Sequence, residues 1–334
     1  MKIIFMGTPD FAEVSLEALY NEKSIDIIGV VTNTDKANLR GKKIKYSPVK
    51  EFSLKNNLKL FQPEKIRNNT DFINEIKELK PDLLIVVAYG KILPKEILEI
   101  PKYGAINVHG SILPKYRGAA PIQRAVLNGD KETGVTTMFM DENMDTGDII
   151  LKEKIKIGIN QTTGEVWDEL SKIGASLLIK TIEKIENFVN ENKNISQEEL
   201  KEKLNVEKQN EKDATVAKML NKEMSLIDWN KTSFEIHNLI RGLNPIMGAY
   251  SYINGKKIKF WKDEIISEKE ILDSFKDYKN GEIIYANKKD GLIIRTSDGA
   301  LRILEVQAQN GKKMDIKSFL NGNKIEEKSI CKNS

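Results

Sequence analysis

The chain has 334 residues, with 53 Lys and Arg against 49 Asp and Glu, two His and one Cys, for a formal net charge of +4. With 40% hydrophobic and 31% charged residues, it has the make-up of an ordinary soluble globular protein of about two domains. No apolar run approaches the roughly 20 residues that span a bilayer, and one cysteine cannot form an intrachain disulfide. So few His and Cys leave little from which to build a zinc site or a cysteine-histidine hydrolase. A cytoplasmic protein without a metal is the expectation.

The opening residues, Lys2 to Met6, form a short apolar run, and Asp10 and Glu13 follow at once. The pattern is a strand entering a helix that reaches Asn21, not a signal peptide. Ile25 to Val31 reads as a second strand. Lys36, Arg40, Lys42, Lys43, Lys45 and Lys50 then fall close together with no acidic residue among them, a local basic loop suited to an anionic partner. Ser47-Pro48 is a helix-start signal, since Ser can cap and Pro fits the first turn. A short strand over Leu58 to Phe61, a helix over Asp71 to Leu79 and a strand over Leu83 to Ala88, apolar on both faces, follow. Ala105 to Val108 and Val135 to Met140 are further strands. This alternation predicts a doubly wound, mostly parallel sheet.

Thr162-Thr-Gly-Glu165 has the capping-box spacing and should open a long helix running past Ile185. Between Asn190 and Asp213 large apolar residues are few, which predicts a linker with at most one weak helical turn. Beyond it, Asn254-Gly255 separates two strand patterns, a strong signal for a type I′ hairpin. Asp290-Gly291 and Asp298-Gly299 flank a third, and Leu301 to Val306 is a fourth, so the C-terminal part should be a small β barrel or sandwich. The predicted boundaries are 1–189, a linker 190–207, a second domain 208–322 and a tail 323–334, with Cys331 in a loose tail. His237 is expected on a helix surface, and Trp167, Trp229 and Trp261 as packing residues.

Gly7-Thr-Pro-Asp-Phe-Ala12 lies where a dinucleotide-binding fold has its glycine loop, but Pro9 and Ala12 occupy later glycine positions and Pro9 has no N–H to offer a phosphate. The chemistry concentrates further on. Asn107 and His109 are two apart at the end of a strand and so point the same way, and strand ends are where open α/β sheets bind ligands. An amide and an imidazole side by side can polarise a carbonyl and hold the oxyanion that follows. Asp141 to Asp148 begins like a calcium loop, but Thr146 and Lys152 stand where Gly and Glu are required. A carboxylate from this stretch could instead orient His109. Asp145 is preferred, with Asp141 and Asp148 open on spacing alone. Ser111 lacks a nucleophile elbow, so a single attack by an amine, with no protein nucleophile, is the favoured chemistry.

Asn107-Val-His109, Ser111-Ile-Leu-Pro114, Arg117-Gly-Ala-Ala-Pro-Ile122 and Met144-Asp-Thr-Gly-Asp148 closely resemble the methionyl-tRNA formyltransferase family. Met6 to Ala12, Ala88 to Pro94, Arg40-Gly-Lys-Lys43, Ser47 to Lys50, Ile227-Asp-Trp229, Asn244-Pro245 and Gly299 to Val306 extend the resemblance along nearly the whole chain. The Asn-x-His and Ser-x-Leu-Pro motifs are shared with other folate-dependent formyltransferases. The basic loop and the C-terminal motifs single out the tRNA-dependent family. The resemblance implies a Rossmann-like catalytic domain followed by an OB-like barrel that binds tRNA. It also implies transfer of the formyl group of 10-formyltetrahydrofolate to the α-amine of methionyl initiator tRNA. Nothing in the sequence points to an obligate interface, so a monomer is expected. By the same resemblance Asn107, His109 and Asp145 are catalytic. Ser111, Ile112, Leu113 and Pro114 border the folate, Leu93 lines its pteridine pocket, and Arg40, Lys42 and Lys43 meet the tRNA.

Overall fold

A computed structural model describes residues 1–37, 44–192, 195–266 and 273–332, so the expected tRNA contacts Arg40, Lys42 and Lys43 lie outside the described residues. The chain divides into two compact units. The first comprises Met1–Pro121, Thr133–Ile155 and Trp167–Lys218, and the second Ile122–Glu132, Lys156–Val166 and Met219–Ser334. Residues 208–218, expected to open the second domain, therefore cluster with the first unit.

In chain order the elements are β1 (Lys2–Gly7), α1 (Asp10–Asn21), β2 (Asp26–Val31), a short antiparallel pair β3 (Lys36–Ala37) and β4 (Ile44–Lys45), α2 (Pro48–Lys55), β5 (Leu60–Phe61), α3 (Thr70–Leu79) and β6 (Leu83–Val87). Next come α4 (Lys95–Leu98), β7 (Ala105–His109), β8 (Arg117–Gly118), α5 (Pro121–Leu127), β9 (Glu132–Phe139), β10 (Ile149–Lys156), α6 (Thr163–Glu191), α7 (Gln197–Leu204) and β11 (Val216–Ala217). Seven strands make one sheet in the order β10-β9-β7-β6-β1-β2-β5. β1, β2, β5, β6 and β7 pair in parallel, and β9 runs antiparallel to β7. The Rossmann-like, mostly parallel sheet is as expected.

The period-2 alternation of the strands decides which side each helix covers. Ile4, Met6, Leu84 and Val86 share one apolar cluster with Phe72 and Ile76 of α3 and with Leu93 and Ile97. On another face, Gly174 of α6 approaches Val108, Val135 and Phe11, and Phe11 meets Trp167 edge to face at 5.2 Å. Ser47 caps α2 by accepting from Lys50 N, and Glu165 accepts from Thr162 N at 2.7 Å as the capping box at α6 requires. The linker holds more than one weak turn. Ser196 and Glu199 form a second capping box at α7, whose Leu200 and Leu204 are buried.

The second unit carries the antiparallel sheet β12 (Ala249–Ile253), β13 (Lys256–Ile266), β14 (Ile283–Asn287), β15 (Gly291–Arg295) and β16 (Ala300–Ala308), in the order β12-β13-β16-β15-β14 with β17 (Met314–Asp315) on β16. Asn254 and Gly255 both have positive φ, 49° and 71°, so the β12–β13 hairpin is the one their residue types predict. One sheet face packs Ile253, Phe260, Leu292 and Ile303 against Ile236 and Ile240 of α8 (Ser233–Gly242) and Phe319 of the helix Ile316–Gly322. The sheet does not close into the expected barrel. Residues 328–332 run along its two outer strands instead, as isolated bridges. Tyr252 and Lys332 exchange backbone bonds of 3.0 and 2.9 Å, while Cys331 N donates to Gly281 O at 2.8 Å and Lys328 N to Ile283 O at 2.8 Å. Cys331 is thus buried, not loose, and burial pushes its thiol well above the ordinary range.

His237 also departs from expectation. It is buried rather than on the helix surface, with Nδ1 3.0 Å from Asp263 Oδ2 and Nε2 2.8 Å from Ile159 O. A carbonyl and a carboxylate both accept, so this pair of neighbours favours the doubly protonated ring. Burial alone would lower its pKa, and Arg241 opposes the charge. The hydrogen bond and charge of Asp263, with the Ile159 carbonyl, outweigh these and raise it. Trp229 and Trp261 are packing residues as expected, each 4% exposed, with their N–H groups on Ser251 Oγ and Gln307 Oε1.

Two outcomes are expected. Because its folded pKa is raised, His237 contributes stability that is fully present below the unfolded imidazole value of about 6.5 and is lost as pH rises through the folded value. Urea midpoints measured from pH 5.5 upward should fall more in the parent than in His237→Gln, and parallel curves would remove His237 from the balance. Cys331, the only thiol, should react with a disulfide reagent about 10² times more slowly in the native than in the denatured chain, as for an opening free energy of about 3 kcal/mol. Similar rates would mean that residues 328–332 are not docked.

Candidate functional site

The sheet reverses its winding between β1 and β6, and β7 lies on the side that runs on toward β9 and β10. Parallel strands there deliver their carboxyl ends to one edge. Asn107 is the middle residue and His109 the last residue of β7, opposite Met138 and Thr136 of β9. His109 is 5% exposed. Its Nε2 lies 2.9 Å from Tyr116 O. A carbonyl can only accept, so Nε2 carries the proton of that bond and Nδ1 is the nitrogen left for other chemistry.

Nδ1 faces Asp145. Its distance to Asp145 Oδ1 is 3.6 Å, an ion-pair contact when the ring is protonated and longer than a hydrogen bond. Asn107 Nδ2 donates to the same Oδ1 at 3.3 Å, and Gly118 N donates to Oδ2 at 2.8 Å. The three residues singled out in the sequence are therefore together, with the Asp145 side chain still 14% accessible. Among the described contacts neither of the other two acidic residues meets His109. Asp141 is exposed and organises its own turn, accepting from Asn143 N at 3.0 Å and Thr146 Oγ1 at 2.6 Å. Asp148 contributes its carbonyl, which accepts from Phe139 N at 2.9 Å.

Asp145 has φ 57°, in the left-handed region. That conformation costs about 1–2 kcal/mol for most residues, and Asp and Asn are the side chains that visit it most readily. The turn is further restricted at Gly147, where an added Cβ would sit 1.7 Å from Phe139 O. Only glycine fits there, which gives the Met144-Asp-Thr-Gly-Asp148 motif its physical content.

The expected folate-bordering loop is held rigidly. Ser111 Oγ donates to Lys115 O at 2.6 Å. Thr136 Oγ1 donates to Ser111 O at 2.7 Å and accepts from Leu113 N at 3.2 Å. Ser111 and Leu113 are buried, and Leu113 packs with Met138 and Ile149. Ile112 and Pro114 are the partly exposed members. Leu93 is not part of the polar group. It belongs to the apolar cluster of Met6, Val86 and Tyr89, against which Met140 packs at the end of β9.

Several participants were invisible to sequence reading. Tyr116 and Gly118 act through their backbones, so no side-chain pattern marks them. Gln209 donates to Asp145 O at 2.9 Å and Gly147 O at 2.8 Å from a stretch that reads as polar linker. Arg117 donates to Gln209 Oε1 at 3.0 Å and, through two nitrogens, to Glu211 at 2.9 and 2.8 Å. The hydrogen bond from Arg117 holds the Glu211 carboxyl below its usual range. Among the described residues no cluster of three or more His, Cys, Asp or Glu could hold a metal, and no helix is long and apolar enough to cross a membrane.

Known proteins resemble this chain along nearly its whole length. Residues 1–182 match the family model "Formyl transferase" and residues 219–324 match "Formyl transferase, C-terminal domain". A methionyl-tRNA formyltransferase of Caldanaerobacter subterraneus subsp. tengcongensis is 45% identical over 332 residues, covering 99% of this chain and 100% of its own. One of Clostridioides difficile is 46% identical over 326 residues, covering 98% of each. Among solved structures, the N-formyltransferase of Helicobacter canadensis, in complex with folinic acid and dTDP-3-aminofucose, shares the fold. Its TM-score is 0.62 at 23% identity, covering 94% of this chain and 100% of that one. The chain belongs to the formyl transferase family, among the methionyl-tRNA formyltransferases.

Proposed function

We propose that this chain transfers the formyl group of 10-formyltetrahydrofolate to the α-amino group of methionyl initiator tRNA, with Asn107, His109 and Asp145 as the catalytic set. The observation that carries the reading is the meeting of an amide, an imidazole and a carboxylate at the carboxyl end of β7, with Asp145 Oδ1 3.3 Å from Asn107 Nδ2 and 3.6 Å from His109 Nδ1. Full-length relatives named methionyl-tRNA formyltransferase support the donor and acceptor.

When bound, the folate co-substrate supplies an electrophilic formyl carbon on N10. The protein's part is electrostatic. As the neutral amine nitrogen bonds to that carbon, negative charge gathers on the formyl oxygen. The second N–H of Asn107 Nδ2 donates to it, and His109 beside it adds a second donor through Nδ1 when the ring is protonated at both nitrogens. Asp145 fixes both donors and, through a held water, takes the proton that the amine must lose. The same proton returns to N10 as the carbon–N10 bond breaks, so no protein nucleophile and no net proton is consumed.

Ile112 and Pro114 give the folate a partly exposed apolar border on the loop that Ser111 and Leu113 anchor. Leu93, packed beside Met6 and Tyr89, forms the floor of the pteridine pocket on this reading. Arg40, with Lys42 and Lys43 beside it, is the contact for the acceptor end of the tRNA, and the antiparallel second unit is the module for its backbone. The enzyme works as a monomer in the cytoplasm.

His109→Ala is expected to lower kcat by about 10²–10³ with tRNA affinity nearly unchanged. Near-normal turnover in a single-turnover assay would remove His109 from the reaction. Arg40→Ala should weaken use of charged tRNA and reduce the salt slope of binding by about 1, while folate binding measured by fluorescence stays as in the parent. An unaltered salt slope would put the tRNA contact elsewhere.

A further inference from the structure

The Asp145 turn is held by a side chain that neither the family motifs nor the catalytic set includes. We propose that Gln209 is a positioning residue: its amide fixes the left-handed Asp145 turn and so sets the carboxylate beside His109. The proposal rests on the reading of Asn107, His109 and Asp145 as the reaction centre.

The orientation of the Gln209 amide is decided by its neighbours. Asp145 O and Gly147 O, at 2.9 and 2.8 Å, can only accept, so the nitrogen must face them. Arg117 Nε, at 3.0 Å, can only donate, so the oxygen must face it. Both amide hydrogens and one lone pair are thereby used. Asp145 O belongs to the peptide that joins Asp145 to Thr146 and Gly147 O to the peptide that joins Gly147 to Asp148, so one amide nitrogen ties together the backbone that follows the residue whose φ is 57°.

Gln209 is in turn immobilised. Glu207 exchanges backbone bonds of 2.9 Å with Ile149, and Glu211 grips the Arg117 guanidinium at both ends. Further along, Thr215 Oγ1 accepts from Tyr116 N at 2.8 Å, and Thr215 O accepts from Arg117 N at 2.8 Å. Tyr116 is the residue whose carbonyl holds His109 Nε2. One stretch, 207–217, therefore braces the carboxylate through Gln209 and the imidazole through Tyr116. Gln209 is the only one of its side chains on the Asp145 turn among the described contacts.

Gln209→Glu separates this role from general stability. It keeps the size and the acceptor for Arg117 but turns an oxygen toward two carbonyl oxygens. With two histidines in the chain, imidazole NMR reads the site directly, and His237 serves as the internal reference. The expected result is displaced His109 resonances, unmoved His237 resonances, and kcat lower by about tenfold or more with KM for folate and tRNA within about twofold. Unmoved His109 resonances would overturn the proposal whatever the activity. Displaced His109 resonances with unchanged kcat would uphold the hold of Gln209 and overturn the reading of the reaction centre. If Gln209→Glu does not fold, Gln209→Met removes the donors without opposing oxygens and is read in the same way.

Discussion

Asp145 can stand beside His109 only in a left-handed turn, and the first unit is organised around meeting that cost. A conformational penalty of about 1–2 kcal/mol is set against two hydrogen bonds to the carboxylate, each worth about 1.5–3 kcal/mol for a charged acceptor. One comes from Asn107 Nδ2 on β7 and one from Gly118 N beyond it. The carboxylate thereby ties the end of a central strand to the loop that follows. Close approach at Gly147 brings the turn against β9. Strand, loop and turn are distant in sequence and share one small group of atoms.

Much of this was legible in the residues. The β7 strand and its two-residue step put Asn107 and His109 on one side, and the structure finds both within reach of one oxygen. Ser47, Thr162 and Asn254-Gly255 marked two helix starts and a hairpin, because capping and positive φ are local properties of few residue types. The strand β10 left no comparable mark: only its buried Ile149 and Ile150 precede a run of alternating half-exposed residues. Asp145 was preferred, but spacing alone left Asp141 and Asp148 open, since the choice depends on which way a turn folds back. Gln209 was the hardest. Its partners are backbone carbonyls more than sixty positions away, and polar linker residues carry no periodicity to betray them.

The second unit shows the same limit from the other side. His237 has the polarity of a surface residue, and the capping box of Thr232 and Glu235 puts it on a helix. What allows it inside is Asp263, on a strand, supplying the counter-charge that burial demands. Arg241 lies one turn along and donates to Gly158 O and Gln161 O, so the same buried helix face also fastens the 158–161 turn. Cys331 is similar. Nothing near it in sequence suggests a core, yet its backbone bonds Gly281, and the next residue bonds Tyr252.

The brace over 207–217 sets where this protein can be recombined. A family-model boundary at 182 falls inside α6, whereas a composition boundary at 207 looks like a natural joint, because the sheet and its long helix are finished before it. A hybrid cut there would inherit the strand that carries Asn107 and His109 but import a foreign stretch in place of Gln209, Glu211 and Thr215. The transferable module ends after the short β8–β11 pairing, near Lys218. Exchange of C-terminal domains between relatives keeps the Asp145 turn intact only when the stretch between the domains travels with the N-terminal one.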